Sequence, residues 1–340
     1  MSAPDLQQVQ DNIRHVDSAI EAAARSVEAL CYRRFWNDVR TVYYEWPSYQ
    51  RAYPWRIWFD KAEIADVTTL VPVVTTGTDV IPNSAVFWGG SSNYYPPYRY
   101  LELDRSQSYS FGNGPTPQRN VAVTANTGFW AKTKPAGTIT ADVNDTVTTV
   151  PVSDSSVVGV GDVLIVDAES MLVRDMTWST TGLTLSSGGT TDSSADNVLT
   201  LSGSGVSAGE VIQVDAEWML AVSASGSAVT VERAYNGSVL TGHTASTAVY
   251  AQRSCAVARA FGGTTAASHS NGGTAYTQLI PDLVHELAVA EALNYVFQKT
   301  TGYARAIGGG GSMIPPGGSL PDIRCQCYAA YGRKVRSRAV

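Results

Sequence analysis

The sequence predicts an α+β protein with a helical-bundle core and short strands, interrupted by an all-β duplicated insertion. Three observations predict this class. Apolar residues recur at helical spacing over residues 5–31 and again from residue 281. Residues 135–250 change abruptly to short alternating runs of Ser, Thr, Gly and Val between turn residues. Inside that region IVDAESML (165–172) is nearly repeated as IQVDAEWML (212–220).

The first helix is predicted over residues 5–31. Val16, Ile20 and Val27 lie on one stripe of this helix, with most charged residues off it. The aromatic and proline-rich stretch at 41–59 predicts short strands and turns instead. Further strand-like runs occupy 67–74, 85–88, 98–103 and 120–125.

Two more helices are predicted near the C-terminus. PDLVHELAVAEALNYVF starts at Pro281, and proline is favoured in the first turn of a helix. A Gly/Pro-rich loop separates it from a last helix over about 320–338. The end of that helix is basic, with Arg333, Lys334, Arg336 and Arg338. Two interpretations stay open: compensation of the helix dipole at a solvated end, or docking onto an acidic surface.

Charge also divides the chain. Residues 135–250 hold thirteen acidic and two basic residues, whereas the rest holds 22 basic and 17 acidic ones. Such asymmetry favours separate modules. The predicted segments are a core with the N-terminal helix and strands at 1–134, a β-rich insertion at 135–253 with repeats at about 149–173 and 198–222, and a connecting loop with C-terminal helices at 254–340 that completes the core. The overall balance of 24 basic to 30 acidic residues argues against a general nucleic-acid coat.

The repeat places two carboxylates in each copy. A shift of 48 residues superimposes Asp167 and Glu169 on Asp215 and Glu217, and with a gap TVPV (149–152) matches LTLS (199–202). Read as one extended strand, the second copy puts Asp215 and Glu217 opposite an apolar face, so we expect solvent-facing, non-catalytic carboxylates. A calcium site is the alternative, but it needs more oxygen ligands and a turn-supplying glycine.

No other pattern indicates an enzyme, a cofactor or a metal. The four histidines stand in separate segments without a neighbouring triad motif. Cys325 and Cys327 lack the partners of a zinc site, and all four cysteines are expected as reduced thiols. The N-terminus lacks the apolar core of a signal peptide, and no apolar run is long enough for a transmembrane helix.

The order of motifs resembles the head-to-tail adaptor (connector, head-completion) proteins of long-tailed bacteriophages. The motifs are VEALCYRRF (27–35), RIWFDKAEIADVTTL (56–70), PPYRYLELDRS (96–106), NVAVTANTGFW (120–130), the helix from Pro281 and YGRKVR (331–336). The β insertion departs from the short members of that family. It is itself similar to small β modules of phage structural proteins, with ERAYNGSVLTGH (232–243) as their later segment.

The resemblance implies a non-enzymatic virion protein that forms a homo-oligomeric ring, a dodecamer, at the neck. Its expected partners are the portal protein and a stopper or tail-completion protein, with DNA passing through the ring without sequence-specific binding and no membrane. Assembly is expected in the host cytoplasm. Because family members engage portal with terminal segments, Arg333, Lys334, Arg336 and Arg338 become portal-docking candidates. The alternative is a β-rich surface- or carbohydrate-binding virion protein, with an esterase or glycosidase a distant third.

Overall fold

The computed structural model describes residues 3–46, 54–59, 62–68, 70–90, 96–129, 132–186, 188–300 and 320–333, without the side chains of 3–13, 299 and 300. The chain divides into two compact units. Residues 1–131 and 280–340 form the first, which we call the mixed unit. Residues 132–279 form the second, which we call the β unit.

The predicted helical-bundle core is wrong. The protein is 20% helical and 40% strand, with two large antiparallel sheets and, in the described residues, three helices. The eight described strands of the mixed unit are only three to seven residues long. Each therefore gives a weak signal in the sequence, whereas together they build an eight-stranded sheet.

The mixed unit combines that sheet with all three helices. Its elements are α1 (Ala3–Cys31), β1 (Asp38–Tyr44), β2 (Arg56–Trp58), β3 (Ile64–Asp66), β4 (Val73–Thr76), β5 (Asp79–Ile81), β6 (Val86–Gly90), β7 (Tyr98–Leu103), β8 (Val121–Thr127), α2 (Asp282–Thr300) and α3 (Leu320–Tyr331). The sheet has the order β2-β7-β3-β8-β4-β5, with β1 paired to β8 and β6 to β7.

Two apolar cores stabilise the mixed unit. The sheet buries a cluster around Phe59, Leu101 and Val123. The helices bury a second cluster, formed by Val27, Cys31, Phe35, Phe129, Val284, Leu287 and Cys327. The thiols of Cys31 and Cys327 meet there at 3.8 Å, and burial raises the pKa of Cys31 to about 12.

In the part of the β unit that the structure describes, ten strands form one antiparallel sheet. They are β9 (Thr133–Thr138), β10 (Thr149–Pro151), β11 (Val163–Val166), β12 (Glu169–Thr184), β13 (Val198–Thr200), β14 (Val211–Val214), β15 (Glu217–Ser225), β16 (Ala228–Glu232), β17 (Ala248–Ala258) and β18 (Thr274–Gln278). The order is β13-β16-β15-β14-β17-β12-β11-β18-β9, with β10 paired to β17.

The duplication in this unit is nested. In one copy β15 and β16 form a hairpin that closes from Ser225 to Ala228. In the other copy β12 and β17 pair in the equivalent register, with Thr177 opposite Ser254. Only Gly226 and Ser227 connect β15 to β16. The corresponding connection between β12 and β17 contains the whole copy that includes β15 and β16. We call residues 184–251 the inner copy, and residues 138–177 with 254–278 the outer copy.

Matching strand pairs support this relation throughout. Both β12–β17 and β15–β16 change register at corresponding places, between Val173 and Asp175 and between Ala221 and Ser223. The strand β10 lies on β17 as β13 lies on β16, so Val150 corresponds to Leu199. The upstream match predicted from TVPV and LTLS is therefore displaced by one residue.

The strand β17 is shared by the two copies. Its first half, through Ala251, pairs with β14 and closes the inner copy. Its second half, from Ser254, pairs with β10 in the outer copy. Residues 254–279, which the sequence assigns to a connecting loop, thus hold β18 and half of β17. With these bounds the β unit has thirteen acidic and six basic residues.

Candidate functional site

The repeated carboxylates sit at two tight β-hairpin turns. In the outer copy Val166 pairs with Glu169, so Asp167 and Ala168 alone form the turn. In the inner copy Val214 pairs with Glu217 in the same way. Asp167 and Asp215 adopt left-handed backbone angles, with φ of 53° and 52°. Aspartate tolerates this conformation better than most residues, which explains its place in the turn.

The prediction that all four carboxylates face solvent is wrong for the two glutamates. The sequence was read as one extended strand, but the turn reverses the chain at Asp215. Glu217 then faces the same side as its partner Val214, together with buried Met219 and Ala221. Glu169 and Glu217 are each 1% exposed. Asp167 and Asp215 are exposed.

Glu169 is the centre of a buried polar cluster in the outer copy. Arg259 donates to both of its oxygens, Nε to Oε1 and Nη2 to Oε2, each at 2.7 Å. The backbone N–H groups of Ala260 and Ala267 donate to the same carboxylate at 3.1 and 2.9 Å. His269 bridges the two acidic residues, with Nε2 at 2.9 Å from Glu169 and Nδ1 at 2.9 Å from Asp167.

The inner copy repeats this cluster around Glu217. Arg233 donates Nε to Oε1 at 2.7 Å and Nη2 to Oε2 at 2.8 Å. The backbone N–H groups of Ala234 and Thr241 complete the set at 2.9 and 3.1 Å. The ring of His243 lies between Glu217 Oε2 and Asp215 Oδ2, at 2.9 and 2.8 Å.

The surroundings keep both glutamates ionised. Burial opposes the charged form, but the hydrogen bonds from the arginine, the backbone and the histidine outweigh it. They lower the pKa of Glu169 and of Glu217 to about 2 in each case. In return, the hydrogen bond to Glu169 raises the pKa of Arg259.

These clusters are arranged to hold loops in place. A carboxylate offers about four lone-pair positions, and five donor or ring nitrogens surround Glu169. No oxygen of that carboxylate is left to take a proton from a substrate. Among the described residues no group of histidine, cysteine and acidic side chains has an arrangement that could hold a metal ion. That these carboxylates are not catalytic stays a prediction.

The sequence analysis did not identify Arg259 and His269, the residues that bind Glu169 in the outer copy. ERAYNGSVLTGH (232–243) was identified as the second half of the module, but its counterpart ARAFGGTTAASH (258–269) was not. A shift of 26 residues superimposes Arg233 on Arg259 and His243 on His269. Both loops also place an alanine in the left-handed region, Ala234 and Ala260 with φ of 54°. The shared spacing from arginine to histidine was the available signal.

A third buried carboxylate joins the two copies. Glu210 of the inner copy is fully buried and accepts hydrogen bonds from Arg253 Nε at 2.7 Å and Nη2 at 2.6 Å. The backbone N–H and hydroxyl of Ser155, in the outer copy, donate to the same side chain at 2.9 Å. This contact fixes the inner copy to the outer one.

The basic C-terminal residues are only partly described. The helix α3 ends at Tyr331, earlier than the predicted end near 338. Arg333 is held within the mixed unit, since its backbone N–H donates to Cys31 O at 2.9 Å and its guanidinium donates to Phe59 O. Lys334, Arg336 and Arg338 lie outside the described residues.

Comparison with known proteins gave no match to a family model, a curated protein or a solved structure. None of the described helices combines the length and the apolar character needed to cross a membrane.

Proposed function

We propose that the protein is a structural component of a phage virion neck, a ring-forming head-to-tail adaptor between the portal protein and a stopper or tail-completion protein. Its subunits assemble into a homo-oligomeric ring, a dodecamer, around a channel through which DNA passes. This proposal includes no catalytic activity. The protein would act through the surfaces that contact its neighbouring subunits and partner proteins.

The observation that carries the proposal is an apolar face on two helices of the mixed unit. Val16 and Ile20, one turn apart on α1, are 43% and 54% exposed. Val289 and Leu293, one turn apart on α2, are 45% and 51% exposed. Exposed apolar side chains repeated along a helix are typical of a surface that another chain covers. Ring assembly from copies of this chain would cover them.

The charge of the β unit fits a part that does not grip DNA. Its thirteen acidic and six basic residues give a surface that repels phosphate. Three of its six basic residues, Arg233, Arg253 and Arg259, are each paired with a buried glutamate. They are therefore neutralised within the unit.

The test is the mass of the assembly. Native mass spectrometry of the purified protein, alone and mixed with portal protein, should give a ring or a ring–portal complex. Ile20→Glu and Leu293→Glu should reduce the fraction in rings, because each buries a charge at the subunit contact. Val239→Glu is the matched control, since Val239 is 77% exposed in the β unit. A protein that stays monomeric, both alone and when mixed with portal protein, would contradict the proposal.

A second candidate is a β-rich surface- or carbohydrate-binding virion protein. Trp178 and Trp218 favour it, because their half-buried rings contact each other with centroids 5.3 Å apart. Aromatic rings of this kind can stack on sugars. Tryptophan fluorescence titrated with oligosaccharides should change in a saturable way, and Trp218→Ala should abolish the change. Absence of any response in the wild type would remove this candidate.

A further inference from the structure

We propose that the mixed unit binds an oxyanion, a phosphate or carboxylate group, at a cluster of three arginines: Arg33, Arg99 and Arg333. We call this the arginine cluster. It shares no residue with the glutamate clusters of the β unit, and the proposal does not depend on the proposed neck function.

Two of the arginines converge on one buried carboxylate. Arg33 Nε lies 3.5 Å from Glu63 Oε2, and Arg99 Nε lies 3.2 Å from Glu63 Oε1. The side chains of Arg33 and Glu63 are each 5% exposed, whereas that of Arg99 is 29% exposed. The cluster is therefore buried on one side and open to solvent at Arg99.

The backbone brings the third arginine to the same place. Arg333 N–H donates to the carbonyl of Cys31, two residues before Arg33, at 2.9 Å. Its guanidinium donates to Phe59 O, while Phe59 N–H donates to Arg99 O at 2.8 Å. The ends of α1 and α3 and the strand β7 thus hold the three arginines in fixed positions.

Among the described residues, the cluster holds three positive charges, and Glu63 contributes one negative charge. The guanidinium groups of Arg33 and Arg99 lie against Glu63, while that of Arg333 is bonded to Phe59 O and acts on Arg33 through its charge. Burial lowers the pKa of Arg33, and the charges of Arg99 and Arg333 lower it further, against the opposing effect of Glu63. Buried charge without a matching partner is costly, so an additional anion would stabilise the folded unit.

The cluster also contains donors that are not used. Within the described chain, Arg33 Nε and Arg99 Nε are buried atoms without a hydrogen-bond partner, and Glu63 Oε1, 3.2 Å from Arg99 Nε, also lacks one. Most buried polar groups in folded proteins are hydrogen-bonded, and exceptions call for an explanation. An oxyanion with several acceptor oxygens would supply the partners that Glu63 does not.

The chemistry of the donors selects the ligand class. The guanidinium of Arg33 lies over the ring of Phe129, with Cζ 4.6 Å from the centroid, so one of its faces is covered. Its N–H groups point in the plane, where a carboxylate or phosphate can accept more than one of them. A carboxylate or phosphate offers two or more acceptor oxygens for paired N–H···O bonds, whereas chloride offers a single acceptor atom.

The experiment measures binding to the full-length protein. Inorganic phosphate, acetate and chloride are compared at equal ionic strength by calorimetry, thermal unfolding and ³¹P line broadening. We expect saturable binding of phosphate, acetate or both, with chloride inactive. Phosphate without acetate assigns the site to phosphate groups, and acetate without phosphate assigns it to carboxylates. Equal effects of all three salts would overturn the proposal.

Two variants should change the affinity in opposite directions. Arg99→Gln removes one donor and one positive charge from the open side, and we expect about tenfold weaker binding. Glu63→Gln removes the competing carboxylate, and we expect tighter binding. Arg119→Gln is the control, because Arg119 stacks on Tyr43, 3.9 Å from its centroid, and should leave the affinity unchanged. Wild-type affinity in both Arg99→Gln and Glu63→Gln would overturn the proposal, even if an anion binds.

Discussion

Arg259 and Glu169 form a two-point ion pair although 90 positions separate them in the sequence. The equivalent pair in the inner copy, Arg233 and Glu217, is separated by only 16 positions. The difference arises because the inner copy is inserted between the two halves of the outer one. The same ion pair is therefore a local contact in the inner copy and a long-range contact in the outer copy.

Loss of Arg259 should strongly destabilise the β unit. Arg259→Ala would leave the ionised Glu169 buried without its cation, and breaking a buried ion pair in this way costs about 3–5 kcal/mol. Arg259→Lys keeps the charge but loses the paired geometry, so we expect an intermediate loss. Urea unfolding followed by tryptophan fluorescence measures both.

Arg174→Ala is the matched control for that experiment. Arg174 lies on β12, the strand that carries Glu169, but its side chain is exposed. Exposed substitutions usually change stability by less than about 0.5 kcal/mol. A loss in Arg259→Ala no larger than in Arg174→Ala would show that the ion pair does not stabilise the unit.

The free energy of unfolding of the β unit should decrease as the pH falls from about 4.5 towards 2. Both glutamates have a pKa of about 2 in the folded protein, against an ordinary value of 4.5. Their contribution is therefore complete above pH 4.5 and is lost as the pH falls towards 2, up to about 3 kcal/mol for each glutamate. The titratable and charged groups around Glu169 are Arg259, His269 and, through that histidine, Asp167.

The variants Glu169→Gln and Glu217→Gln test this dependence. Each should be less stable than the wild type at pH 7, and the difference should narrow as the pH falls from 4.5 towards 2. Unfolding in urea at several pH values gives that difference directly. Asp192→Asn, at an exposed position, serves as the control and should show no narrowing. A difference that stays constant over the whole range would contradict the assignment of low pKa values.

Sequence patterns identified the β character of residues 135–250 and the repeat of 48 residues, because alternation and spacing are local properties. They did not identify the nesting. The outer copy has its Arg259–His269 loop after the complete inner copy, where a simple tandem repeat would not place it. The side on which the two glutamates lie was also predicted wrongly. Each pair of short strands, β11 with β12 and β14 with β15, was read as one strand, because the tight turns at Asp167 and Asp215 were not recognised.

In the mixed unit the helices were easier to predict than the sheet. The helix α1 ends at Cys31, where the sequence placed its end, because a long helical pattern is a strong signal. The strands β2, β3 and β5 have three residues each, too few for alternation to be distinguished from a loop. The arginine cluster was hidden for another reason: Arg33, Arg99 and Arg333 belong to distant segments of the chain.

A truncation after Arg333 should affect partner binding without unfolding the mixed unit. Arg333 is tied to Cys31 and Phe59, so a protein that ends at this residue keeps those contacts. If the removed basic residues dock onto acidic groups of portal, association should slow at low salt, and the deficit should shrink at high salt. Surface plasmon resonance measures the rates. A truncated protein that associates as fast as the full chain at low salt would show that these residues are not the docking element.

Removal of the inner copy should leave a folded outer copy. Thr177 and Ser254 face each other on β12 and β17, just as Ser225 and Ala228 do at the hairpin of the inner copy. Replacing 178–253 by the two residues Gly-Ser should therefore close the outer copy with a turn that its own duplicate already uses. The deletion takes Glu210 and Arg253 away together, so neither is left buried without the other.

A control for this experiment changes the register in which β12 pairs with β17 at the junction. A second deletion joins Asp175 to Ser254 with the same Gly-Ser turn, which shifts β12 by two residues against β17. It also removes Met176, which packs partly buried against the core of the outer copy. Both proteins are compared by amide chemical-shift dispersion and by the pKa of Glu169 from NMR titration. We expect dispersed spectra and a pKa near 2 only for the first deletion, because only it retains the native pairing. Collapse of both would show that the outer copy needs the inner one to fold.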